Sequence, residues 1–236
     1  EDRKQRITAK DFNGYVERHY LFTVDVYDEM IEKGILTTEH KIELLNGRLY
    51  EKNTGEFYKI PIKIYEAMVD EGILTENDNY ELLDGKILEK MPKGTKHSLY
   101  NDIISDTLRE KIKKVYVRNQ NPIRLPDFTE PEPDVVLAKL PREKYLENHP
   151  EPEDILLVIE ISDSTLQFDR NAKGSMYAEA GIVQYLVVDV KNKLIEDYRQ
   201  PFENDYQTKQ TYKIGDKFSL VEFPKIEIAV KDFFKS

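Results

Sequence analysis

Asp134 follows a proline in PEPDVVL, Glu160 interrupts the apolar run ILLVIEIS, and Lys173 falls shortly after it in FDRNAKG. Two carboxylates and an ammonium are the minimum set for hydrolysing a phosphodiester. The acids hold a divalent ion that polarises the phosphoryl group and generates hydroxide, and the cation assists the nucleophile or the developing charge. The chain has no cysteine, so a metal would be held by carboxylates, carbonyls or the four histidines, which points to a hard ion, Mg²⁺ with Mn²⁺ as its substitute. Each residue also has an ordinary reading. Aspartate after proline often opens a strand, most helix lysines are solvated, and a strand glutamate can sit at an exposed end or pair with an arginine. Glu160 resists that reading best, because an idle carboxylate within an apolar run is expensive to bury.

The elements that must position these residues can be read from periodicity. Leu99, Ile103, Ile104, Leu108 and Ile112 recur at three- and four-residue spacing, which predicts a long core-facing helix opened by His97. A strand near Val115–Arg118 and a proline-rich loop lead to a short strand from Asp134 to Ala138. The polar segment from Leu140 to Asp154 reads as an excursion outside the sheet. The run from Ile155 to Ser162 predicts a strand covered on both faces. A helix around Asn171–Ala180 and the strand IVQYLVVD complete a strand-helix-strand unit. Lys193 to Val230 reads as an antiparallel meander with turns at Pro201, Gly215 and Pro224.

The first half repeats itself. YDEMIEKGILTTEHKIELLNGRLYEK, from Tyr27, recurs in register as YEAMVDEGILTENDNYELLDGKILEK, from Tyr65. Each copy reads as a short amphipathic helix followed by a hairpin turning at Asn46-Gly47 or Asp84-Gly85. The expected organisation is an N-terminal extension over residues 1–60 that contains the first helix-hairpin module, and a main domain over residues 61–236 that begins with the second. Residues 1–24 carry no assigned role.

The chain has 236 residues and a formal net charge of -10, which opposes non-specific attraction to nucleic acid, although a local basic face and a bound divalent ion can invert the field at a site. No stretch approaches the roughly 20 apolar residues of a membrane span. The opening EDRKQRITAK lacks the apolar core of a secretion signal, so the cytoplasm is the expected location.

PEPDVVL, LLVIEISDST and FDRNAKGSMYAEAGIVQYLVVD, together with ELLDGKILEKMP and His97, resemble the Uma-type family of restriction endonucleases within the PD-(D/E)XK superfamily. The likeness runs from about Tyr65 to the C-terminus. It implies an α/β fold with a mixed sheet flanked by helices, a DNA substrate, and a metal held by Asp134 and Glu160. The superfamily lysine would stand two residues after the second acid, where this chain has Ser162, and the resemblance moves that role to Lys173 on the following helix. Glu81 and His97 are implied auxiliaries: Glu81 would complete the acidic cluster, and His97 would contact metal, water or phosphate. Glu81 has a counterpart in Glu43, as expected if the acid serves its hairpin, and His97 could simply cap its helix. Asp169 and Ser162 lie near enough in sequence to support the site, and Tyr177 reads as packing. Cutting both strands of a duplex needs two scissile centres, which favours a homodimer. Two other readings stay open: a non-catalytic binding or assembly protein that keeps the fold as scaffold, and a hydrolase of small phosphorylated molecules.

Overall fold

Asn46-Gly47 and Asp84-Gly85 each place two successive residues at positive φ, 50° and 75° in the first pair and 46° and 73° in the second. This is the backbone of a two-residue hairpin turn, and it sets the register of the strands on either side. The computed structural model describes residues 8–10, 16–75 and 78–235. These divide into two units. One contains Val16–Met91 and Pro126–Pro131 together with strand β1, and the other contains Pro92–Leu125 and Glu132–Ser236.

In the first unit β1 (Thr8–Lys10) pairs with β2 (Val16–Arg18). Helix α1 (Val24–Glu32) is capped by Thr23, whose hydroxyl accepts the Val26 N–H at 3.2 Å. It is followed by the hairpin β3 (Ile42–Leu45) and β4 (Arg48–Glu51). Helix α2 (Ile62–Asp70) is followed by the hairpin β5 (Tyr80–Leu83) and β6 (Lys86–Glu89). Met30, Leu36 and Leu49 join Met68, Leu74, Leu82 and Ile87 in one core. Lys33, at the end of α1, pairs with Glu71, at the end of α2, at 2.8 Å. Gly85 brings its Cα close to Lys59: a Cβ there would stand 2.6 Å from Lys59 Cβ. The segment 126–131 bridges to β5 through Leu82 and Glu130.

The second unit is built on a six-stranded mixed sheet. Helix α3 (Thr95–Lys111) precedes β7 (Tyr116–Asn119) and β8 (Val135–Ala138). The fully buried β9 (Ile155–Ser162) leads through α4 (Leu166–Phe168), a π-helical turn at Asp169–Lys173 and α5 (Gly174–Glu179) to β10 (Gln184–Asp189). The long hairpin β11 (Leu194–Phe202) and β12 (Asp205–Lys213) follows, then the small pair β13 (Lys217–Ser219) and β14 (Glu227–Ala229). Sheet order is β12-β11-β10-β9-β8-β7. Only β9 and β10 run parallel, as a strand-helix-strand crossover requires; the other pairs are antiparallel.

Alternation along the strands feeds two cores. Val135, Leu137, Leu157, Ile159, Ile161 and Val188 pack with Ile104 and Leu108 of α3 and with Ile112 just after it. Val136, Val158, Tyr185 and Val187 pack with Tyr177 and Ala178 of α5. The sheet therefore lies between two helical layers.

Three expectations need correction. Leu99 is 51% exposed; the buried face of α3 is instead Asn101, Ile104, Ser105 and Leu108, because two of its positions make polar contacts to the sheet's end. Pro201 lies inside β11 paired with Tyr206, and the chain reverses after Phe202. Asp134 stands one residue before β8 rather than within it. The segment after Leu140 does leave the sheet, in 3-10 turns at Arg142–Tyr145 and Pro152–Asp154. Among the described residues no helix is long and apolar enough to cross a membrane.

Candidate active site

Strand register brings the two acids together. Val135 lies opposite Ile159, and extending that antiparallel register by one residue sets Asp134 against Glu160. Residues directly opposite share a face of the sheet, here the face covered by α5. Asp134 is fixed from several directions. Its Oδ2 accepts the Ile161 N–H at 2.8 Å and lies 2.9 Å from His97 Nε2, while its carbonyl accepts the Asn101 amide at 3.1 Å and the Gln120 N–H at 3.0 Å. An ionised carboxylate only accepts, so His97 Nε2 carries a proton and donates it. His97 sits in the first turn of α3, and its buried Nδ1 has no partner among the described residues.

Glu160 retains 3% of its surface and Lys173 8%. Lys173 Nζ donates to Glu160 Oε1 at 2.8 Å, and the Tyr177 hydroxyl donates to the same oxygen at 2.7 Å. Four-residue spacing places Asp169, Lys173 and Tyr177 along one side of the helical run. The π turn ends at Lys173; such bulges recur at functional sites. Asp169 accepts from Ser162 Oγ at 2.5 Å and Thr165 Oγ1 at 2.6 Å, and its carbonyl accepts the Tyr185 hydroxyl at 3.0 Å.

Environment drives the two acids apart. Burial pushes the Glu160 carboxyl up to about 8 against the opposing pull of Lys173, with Asp134 and Asp169 adding to the upward push. Burial acts the same way on Asp134, but the His97 hydrogen bond and charge, Lys173 and the Ile161 N–H outweigh it and hold that carboxyl below the usual range. Asp169 is raised, again chiefly by burial, with Lys173, Ser162 and Thr165 opposing. Asp134 is thus the standing negative charge, and Glu160 changes charge near neutral pH. That division is the usual signature of acid and base assignments.

Asp134, Glu160, Lys173, His97, Ser162 and Asp169 all lie in this part of the second unit. Glu81 belongs to the first unit, buried on β5 opposite Leu88. Tyr177, expected as packing, is a hydrogen-bond donor to the second acid; its spacing of four from Lys173 was the available signal. Among the described residues no group of three or more His, Asp or Glu side chains is arranged to hold a metal ion.

A mixed sheet between helical layers, with an acid entering one strand and a second acid on its neighbour, has the architecture of PD-(D/E)XK-like proteins. The model of the Uma2 family, described as "Putative restriction endonuclease", matches residues 56–231, and the chain belongs to that family. The fold is similar to a crystal structure described as a putative nuclease from Anabaena variabilis, with a TM-score of 0.56 and 19% identity over 70% of this chain and 96% of that one. At that identity the likeness is one of fold. Comparison with curated proteins gives no match. The protein is nuclease-like in family and in architecture.

Proposed function

We propose that this chain is a metal-dependent endonuclease that hydrolyses DNA phosphodiester bonds, with Asp134, Glu160 and Lys173 as its catalytic residues. The observation that carries the reading is the network in which an acid held ionised, an acid poised near neutrality and a buried ammonium share one face of the sheet. The donor chemistry suits a hard divalent cation. Asp134 Oδ1 and Glu160 Oε2 take none of the hydrogen bonds described above, and Mg²⁺ is commonly held by one or two carboxylates with water and substrate phosphate completing its shell. When bound, such an ion would supply Lewis acidity and a nucleophile at neutral pH. Asp134 keeps a permanent charge, oriented by His97 and the Ile161 amide. Glu160 is suited to take a proton from attacking water. Lys173 holds Glu160 in place and presents a cation to the charge that develops on phosphorus-bound oxygen.

The same reading takes the two helix-hairpin segments as copies of one module, with the nuclease domain beginning at residue 61 and Glu81 and His97 as auxiliaries. It takes the working form to be a homodimer. The test is cleavage of supercoiled and single-stranded DNA with Mg²⁺ or Mn²⁺ at low salt, beside Asp134→Asn and Glu160→Gln. Cleavage lost in both variants is expected; cleavage that persists in both removes the reading. A second reading, a non-catalytic binding or assembly protein, is favoured by the absence of a three-residue metal cluster among the described residues. Stabilisation of the wild type by Mg²⁺ or Mn²⁺ that is lost in Asp134→Asn separates the two.

A further inference from the structure

Arg118, on the edge strand β7, is 6% exposed, and among the described residues no carboxylate pairs with it. Its Nη2 donates to the Pro122 carbonyl at 3.1 Å and lies 3.4 Å from His149 Nδ1, and its Nε has no partner among those residues. Its Cζ lies 5.7 and 5.8 Å from the ring centroids of Tyr116 and Tyr145. Aromatic faces and a carbonyl offset only part of the desolvation of a guanidinium, and burial pulls its pKa down. The partly buried Arg170 and Arg199 each fork onto a carboxylate, Glu196 and Asp197 respectively.

Arg118 borders a concavity of about 540 Å³ between the end of α3 and β7. Arg109, Lys113 and Arg142 also line it, with Asn119 and Asn121, and among the described residues no Asp or Glu does. That is against composition in a chain with 45 acidic and 35 basic residues. Asp106 and Glu143 pair with Arg109 and Arg142 at 3.1 and 3.7 Å, but both acids are exposed and neither lines the concavity. The Asn119 Oδ1 accepts the Ser105 hydroxyl at 2.7 Å, which leaves its amide N–H groups as donors. Cations along a sheet edge can serve to prevent edge-to-edge pairing, and that would account for the three exposed ones. It does not account for a buried guanidinium without a counter-ion.

We propose that this concavity is a phosphate-binding site, in which Arg118 gains its missing anion and the exposed cations close around it. A nucleic-acid strand as the source of that phosphate rests on the nuclease reading above; the phosphate chemistry does not. The test uses the full chain in chelator, so that binding is read without cleavage. A labelled single-stranded oligonucleotide is titrated by fluorescence anisotropy against wild type, Arg118→Met and Arg109→Gln/Lys113→Gln over a series of salt concentrations. Melting of each protein is followed with and without inorganic phosphate.

Weakening by about tenfold in the double variant at low salt is expected, with a salt slope shallower by about 1.4 for two lost phosphate contacts. Phosphate should raise the melting temperature of wild type and not that of Arg118→Met. Without phosphate, Arg118→Met should melt no lower than wild type, which separates loss of a site from loss of fold. If phosphate stabilisation is lost in Arg118→Met while oligonucleotide affinity is unchanged in both variants, the site stands with free phosphate or a small phosphorylated molecule as its source. If both variants keep wild-type affinity, salt slope and phosphate response, the proposal is overturned, whatever the cleavage assay gives.

Discussion

Replacing Glu160 by glutamine is expected to stabilise the folded protein at neutral pH while abolishing hydrolysis. Glutamine keeps Oε1, so Lys173 and Tyr177 retain the acceptor they hold at 2.8 and 2.7 Å. What changes is the titration. The carboxyl moves from 4.5 in its ordinary state to about 8 in the fold, chiefly by burial. Between those values the folded wild type keeps a proton that the unfolded chain has released. The unfolded state binds fewer protons, stability falls as pH rises, and the folding constant drops about tenfold per pH unit. Below pH 4.5 wild type and variant should be alike; at pH 7 the gap spans 2.5 units, about 3 kcal/mol in favour of glutamine; above about 8 it levels off. Lys173 does not lose a full ionic partner in the variant at pH 7, because in the metal-free wild type that partner already carries its proton. Urea unfolding of both proteins at pH 4.5, 7 and 8.5 measures the effect, and a saturating divalent ion should narrow the gap by favouring the ionised carboxylate. A variant that is no more stable than wild type at pH 7, or a gap that ignores pH, would refute the reasoning. Either result would mean that the ion pair with Lys173 outweighs the burial of Glu160.

Other perturbations reach the same network from different sides. Lys173→Met removes the main influence that lowers the Glu160 pKa, so the acidic limb of the pH–rate profile, where the general base loses its proton, should move to higher pH while the rate falls by about a hundredfold or more. His97→Gln removes the charge that helps to depress Asp134. A depressed carboxyl lends stability above its unfolded pKa and loses it as pH falls, so this variant should be less stable than wild type at pH 6, by a margin that closes as unfolding is followed down to pH 3. Tyr177→Phe leaves the buried Glu160 with one donor fewer and should lower stability by about 1 kcal/mol in urea unfolding at pH 8.5, where Glu160 is ionised. In the first unit, Gly85→Ala should be far more damaging than Gly72→Ala. Both have positive φ, but a Cβ at Gly85 meets the Lys59 backbone at 2.7 Å, whereas one at Gly72 meets nothing within 4 Å; melting of the two variants gives the ranking.

Much of the scaffold was legible because its signals are local. ILLVIEIS is a strand with the bounds its apolar run suggests, since a run buried on both faces cannot end until polarity returns. Asn-Gly and Asp-Gly marked both hairpins through their tolerance of positive φ. The acids were readable by their misplacement, an aspartate after proline and a glutamate in a run with no other charge. Less legible was whatever depends on partners distant in sequence. Asn101 and Ser105 occupy core positions of α3 because Asp134 and Asn119 offer them hydrogen bonds, and periodicity counted only apolar side chains, so it enlisted the exposed Leu99. Tyr177 has the size and spacing of a packing residue, and only the direction of its hydroxyl reveals its bond to Glu160. Pro201 looked like a turn, yet proline needs no N–H at a position where the strand makes no ladder bond, and β11 runs through it.

Lys33 and Glu71, whose side chains meet at 2.8 Å in the first unit, are separated by the same 38 positions that separate Tyr27 from Tyr65. A position therefore touches its own equivalent in the other segment. Two identical segments on separate chains would bring lysine against lysine, or glutamate against glutamate, at that point. Opposite signs face each other there because the two segments are separate stretches of the chain, each with its own codon at that position. The contact is attractive within the chain, and at this exposure solvent screens much of that attraction.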